Sequence, residues 1–127
     1  MGSRGSFLES GGFSAPAQWH TVDYVDGIKV LEPINPKASR SLPERSNTPG
    51  TAYILYRKNG NFSQLRVFGN DRIPVYDIDY GKHQGKYSLH VHYFKNGERE
   101  KDSEVTILHK GDYLFEKYKH IFKGVKL

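Results

Sequence analysis

A chain of 127 residues, 36% hydrophobic and 26% charged, amounts to one domain with a modest core. The absence of cysteine excludes a disulfide framework and any thiolate metal site, leaving histidine and carboxylate as the strong metal ligands. A net charge of +5 admits an anionic partner. No apolar run approaches the roughly 20 residues of a membrane span, and the N-terminus lacks the apolar stretch of a signal peptide. A cytoplasmic protein without a membrane partner is therefore expected.

Residues 1–16 are Gly- and Ser-rich, with single scattered hydrophobes and no period, which predicts a flexible arm whose first six residues could be a cloning remnant. Residues 17–127 are expected to form a single domain. Asp26-Gly27 separates runs carrying Trp19, Val22 and Tyr24 from runs carrying Ile28, Val30 and Leu31, predicting a small peripheral hairpin over 17–31. Pro33, Pro36, Pro43 and Pro49 then mark 32–50 as a linker or wrapped loop, because proline cannot donate to a ladder.

The continuous β region spans 51–97. Thr51–Lys58 and Asn61–Phe68 are strand-like runs meeting at Asn59-Gly60, a pair suited to a type I′ hairpin. A turn at Gly69–Arg72 leads into Ile73–Tyr80, a polar connection at 81–86 follows, and Tyr87–Phe94 ends at Asn96-Gly97. The charged run Glu98–Val105 reads as turn and loop. From 112 to 123 the period changes: Leu114, Phe115, Tyr118, Ile121 and Phe122 fall on one helical face, with Asp112 as N-cap and Gly124 just past the end. The expected fold class is α+β, an antiparallel meander of four to five strands with one C-terminal helix packed on one face.

Alternation along the third and fourth runs of the meander separates Ile78, Leu89 and Val91 from Asp77, Asp79, His90 and His92. If both runs turn their apolar faces to one core, the two aspartates and two histidines share the surface away from the helix. Three lysines, Lys82, Lys86 and Lys95, and no acid lie between 81 and 97, giving a positive potential suited to a phosphate-bearing ligand. Three readings of this surface are open. In the first, His83, His90 and His92 with Asp77 and Asp79 perform general acid–base chemistry, and Arg66, Lys82 and Lys86 bind phosphate. Such a set suffices to cleave RNA at its 2′-hydroxyl without a metal or cofactor. In the second, His90-x-His92 and an aspartate form a His/carboxylate metal set. In the third, the aspartates pair with nearby cations as ordinary salt bridges. Tyr53, Tyr56, Phe62 and Phe68, interleaved with Arg57, Lys58 and Arg66, also match a nucleic-acid stacking platform, although a half-buried strand has the same pattern.

The order of features from Gln64 to Phe94 (QLRVF, a glycine turn, YDIDYG, a connection containing His83, then LHVHYF before Asn96-Gly97) resembles a C-terminal domain of bacterial polymorphic toxins and of phage proteins near the Mu-type minor head protein. The start MGSRGS also resembles small prophage reading frames. The sequence departs from that pattern at Leu89, where a proline is common, and at Tyr93, where an acid is common. The resemblance implies a nuclease whose site residues would be Asp77, Asp79, His83, His90 and His92. The expectation is a phage- or prophage-type, ribonuclease-like domain, with RNA or another phosphate-bearing ligand as partner. The alternative is a non-enzymatic accessory module that binds a phage or host protein.

Overall fold

A computed structural model describes residues 18–38, 40–83 and 85–127, with the backbone alone for His83. The flexible-arm expectation for 1–16 lies outside the described residues.

Eight strands form one continuous, mostly antiparallel sheet: β1 (Trp19–Val25), β2 (Ile28–Pro33), β3 (Ala52–Tyr56), β4 (Phe62–Phe68), β5 (Pro74–His83), β6 (Lys86–Lys95), β7 (Glu98–Arg99) and β8 (Thr106–Leu108). They lie side by side in chain order as far as β6, which pairs with β8 through its middle and with β7 at its end. The α+β architecture agrees with the sequence reading, but the strand count exceeds the four to five expected. The extra strands have two sources. The first hairpin is continuous with the sheet because β2 pairs in parallel with β3 (Lys29 with Tyr53, Val30 with Ile54). The charged run after Gly97 is not only loop, since it supplies β7 and a 3₁₀ turn at Asp102–Glu104, and β8 follows directly after it.

The turns follow local chemistry. Asp26-Gly27 and Asn96-Gly97 both take positive φ at both residues, as a type I′ turn requires. At Asn59-Gly60 only the glycine does so. Arg57 N donates to Asn61 O at 2.8 Å, making a three-residue loop closed by a left-handed Gly60 rather than the two-residue turn expected. The polar connection expected at 81–86 is largely ladder, with Lys82 opposite Tyr87 and His83 opposite Lys86.

One face of the sheet carries Val30, Ile54, Phe62, Leu65, Ile78, Leu89 and Val91, all buried beneath the C-terminal segment. That segment is a six-residue helix α1 (Tyr113–Tyr118) continued by a 3₁₀ turn at Lys119–Ile121, shorter than the helix expected over 112–123. Tyr118, Ile121 and Phe122 are buried, Leu114 and Phe115 half-buried, and Lys117 and His120 exposed, as the helical stripe predicts. Asp112 stands at the N-cap, but its carboxylate accepts from His109 N (2.8 Å) instead of capping the helix. Phe122 meets Phe62 edge-on at 5.0 Å between centroids, and Tyr56 donates its hydroxyl to Ile121 O at 2.9 Å. Burial drives the Tyr56 phenol up to about 12.

The opposite face is apolar mainly toward its β1–β4 end. There Trp19, Leu31, Tyr53, Leu55 and Phe68 pack with Leu42 of the proline-rich segment, which crosses this face between β2 and β3 and makes their parallel pairing possible. Trp19 Nε1 donates to Ser41 O at 2.8 Å, Tyr53 OH meets Ser46 Oγ at 2.8 Å, and Arg40 bridges Glu32 and the Tyr56 carbonyl. Tyr53, Tyr56, Phe62 and Phe68 are all buried, which removes the stacking-platform reading. Among the described residues, no helix is long and apolar enough to cross a membrane.

Candidate functional site

Toward β4–β6 the second face turns polar, and strand register arranges it in two rows. Arg66, Asp77 and His92 lie opposite one another across β4, β5 and β6, as do Gln64, Asp79 and His90. The four residues expected to share a surface therefore do so. His83 is placed by its backbone at the end of β5, opposite Lys86, and its expected catalytic side chain lies outside the described residues.

The surface is not open. Because Asn96-Gly97 is a two-residue turn, Arg99 falls opposite Phe94 and shares the face of His90 and His92. Its guanidinium reaches over that face, Nε donating to Asp77 Oδ2 at 2.9 Å and Nη2 to Asp79 Oδ2. Glu100 continues the cover: its N donates to Tyr93 O at 2.9 Å, its Oε1 accepts from Tyr93 N at 2.9 Å, and its carbonyl accepts from His92 Nδ1 at 2.9 Å. Asp77 is 0%, His92 1% and His90 7% exposed.

Within this cover Asp77 is saturated. Its Oδ1 accepts from Arg66 Nε (2.8 Å), and its Oδ2 accepts from Arg66 Nη2 (2.9 Å), Gln64 Nε2 (3.0 Å) and Arg99 Nε (2.9 Å). A buried carboxylate between two guanidinium groups is a structural anchor. Leaving it without them would strand a charge away from water, which is far costlier than any net gain from the pair. Arg66 is equally committed, because Nη1 donates to the carbonyls of Leu42 and Pro43, each at 3.1 Å, tying the proline-rich segment to the polar rows. The roles expected for Asp77 in acid–base chemistry and Arg66 in phosphate binding give way to this packing function.

Asp79, His90 and His92 remain. Burial raises the Asp79 carboxyl to about 6, opposed by the charge of Arg99 and reinforced by that of Asp77. Asp79 Oδ1 is buried and has no hydrogen-bond partner among the described residues. The donation of His92 Nδ1 to the Glu100 carbonyl leaves Nε2 as the lone-pair nitrogen of the neutral ring, 3.6 Å from Asp79 Oδ2 and 3.9 Å from Asp102 Oδ1. The two imidazoles pack edge-on, with centroids 5.2 Å apart.

Asp79 and His90 also line a polar cleft of about 310 Å³ with Ser63, Gln64 and Arg99, bordered by Lys82, whose ammonium rests 5.7 Å from the centroid of the Tyr87 ring. Lys86 stands farther out, at the end of the β5–β6 ladder, and is not among the lining residues. The remaining histidines lie elsewhere: His109 beside Asp112 and His120 beside Asp26 are exposed, as is His20. Ser63, Gln64, Arg99, Glu100 and Asp102 are site residues that the sequence reading missed. Counting strand parity through the Asn96-Gly97 turn would have placed Arg99 on this face. Compared with protein-family models, curated proteins and solved structures, the chain matches none of them.

Proposed function

We propose that this is a phage-type domain, acting in the cytoplasm, that binds and cleaves the sugar–phosphate backbone of RNA in the cleft between β4, β5 and β6. The observation that carries the reading is the convergence of Asp79 and His90, paired across two strands, on a polar cleft that also holds Arg99, Gln64 and Ser63. A phosphodiester placed there meets the partly exposed Arg99 guanidinium, with Lys82 at the border. RNA suits a site with few groups because it carries its own nucleophile. The 2′-hydroxyl oxygen bonds to phosphorus as the P–O5′ bond breaks, the hydroxyl proton leaves toward the Asp79–His90 side, and the departing 5′-oxygen takes up a proton from that side. The resemblance of Gln64–Phe94 to a toxin and phage domain points the same way.

The saturation of Asp77 by two arginines favours a second reading, in which the polar rows only hold the fold together and the domain binds a phage or host protein. Single-stranded RNA separates the two. The first reading expects a cyclic-phosphate product, no cleavage of the matching DNA, and loss of activity in His90→Asn with His109→Asn unaffected. Intact RNA across a wide pH range, with and without added divalent ions, supports the second.

A further inference from the structure

Asp79, His90 and His92 each offer one ligand atom such that the three atoms lie within 4.8 Å of one another. We infer that they hold a divalent transition-metal ion, zinc by donor type, at the wall of the cleft. Two imidazoles and a carboxylate select zinc over magnesium or calcium, which require oxygen shells.

Four observations carry the site. The separation of 3.6 Å between His92 Nε2 and Asp79 Oδ2 is too long for a hydrogen bond. It is close to the ~3.4 Å edge of a tetrahedron of ligands at zinc distances. His92 gives Nδ1 to the Glu100 carbonyl at 2.9 Å, the outer-shell bond that orients a ligating imidazole and points its other nitrogen at the ion. Asp79 Oδ1 is buried with no donor among the described residues, and a carboxylate oxygen removed from water needs a cation or a hydrogen bond. Finally, Asp102 Oδ1 lies 3.9 Å from His92 Nε2 on a side chain that is 83% exposed, so a second carboxylate can approach the same ion. Arg66 and Arg99 answer the charge of Asp77, and Arg99 also donates to Asp79 Oδ2, so Asp79 is shared between that guanidinium and the ion, with Asp102 placed to add a second carboxylate. The cleft beside Asp79 and His90 leaves room for water or a phosphate oxygen as a further ligand.

Metal binding stands on this geometry alone. Only its role, polarising a non-bridging phosphate oxygen, rests on the phosphodiester reading. In that role the ion replaces the metal-free chemistry proposed for the cleft: Asp79 and His90 serve as ligands, and the proton transfers pass to water in the cleft.

The test is calorimetric titration of the chelator-stripped protein with ZnCl₂, followed by thermal melting. One ion per chain is expected, with the melting midpoint raised by about 5–10 °C at a hundredfold excess over Kd. Affinity should fall at least about tenfold in His90→Asn and in Asp79→Asn, and stay unchanged in His120→Asn, which removes the exposed His120–Asp26 pair. Cobalt(II) added to the unmodified protein guards against variants that fail to fold, because intense visible bands report coordination with fewer than six ligands. No heat with zinc together with a pale six-coordinate cobalt spectrum overturns the inference, as does binding lost only in His120→Asn. RNA cleavage that persists in chelator without zinc binding overturns the metal site and leaves the cleft reading standing. Zinc binding without cleavage does the reverse.

Discussion

The two faces of the sheet meet at adjacent residues of β5. Ile78 and Asp77 are both 0% exposed, yet one looks into the helix-covered core and the other into the polar rows. Ile78 is held by contacts without direction, so its environment responds in proportion to lost volume. Asp77 is held by hydrogen bonds from three side chains, two of them charged, and its environment is close to all-or-none. One face supplies stability by area; the other fixes a constellation of groups in position.

This contrast predicts that a conservative change costs most where the bonds are directional. Asp77→Asn keeps the shape but leaves Arg66 and Arg99 facing a neutral amide, and should cost about 3–5 kcal/mol in urea unfolding. A loss below about 1 kcal/mol would erase the distinction between the faces. Gly124→Ala probes the edge of the apolar face. Gly124 has φ +75°, and an added Cβ would overlap the Asn61 side chain, beside the bond from Phe62 N to Lys123 O that ties the C-terminal segment to β4. A loss of about 2 kcal/mol is expected from the left-handed backbone and the clash together.

A smaller effect comes from Asp79 and has a definite sign. Its folded carboxyl lies above the ordinary value, near 6, so it contributes stability below about pH 4 that is lost as pH rises through 6. In metal-free buffer, the stability of the unmodified protein relative to Asp79→Asn should fall by on the order of 1–2 kcal/mol across that window. A difference that stays flat or rises with pH would mean the carboxyl is not held in its neutral form. The smallest change belongs to the apolar face, where Ile78→Val should cost only about 1 kcal/mol.

What the sequence made legible follows the same division. Alternation along β5 and β6 placed Asp77, Asp79, His90 and His92 together, because one apolar face fixes register for both. The stripe from Leu114 to Phe122 marked which helical residues are buried. The parallel pairing of β2 with β3 was hidden, since its crossover is a proline-rich segment that looks like a linker until Leu42 and the Leu42 and Pro43 carbonyls find their partners. The cover over the histidines was hidden for another reason. Glu98–Glu104 is charged, exposed except at Glu100, and carries no apolar period, and only its turn geometry reveals where Arg99 points.

The central claim is that the cover holds His92 so that Nε2 is presented to Asp79 and His90. Long-range ¹H–¹⁵N correlation of the imidazole nitrogens at mildly alkaline pH reads this directly. The account predicts that His92 carries its proton on Nδ1, donated to the Glu100 carbonyl, and that zinc shifts the Nε2 resonance of His92 while leaving its Nδ1–H in place. A His92 ring protonated on Nε2, with a bare Nδ1 and no response to zinc, would contradict it.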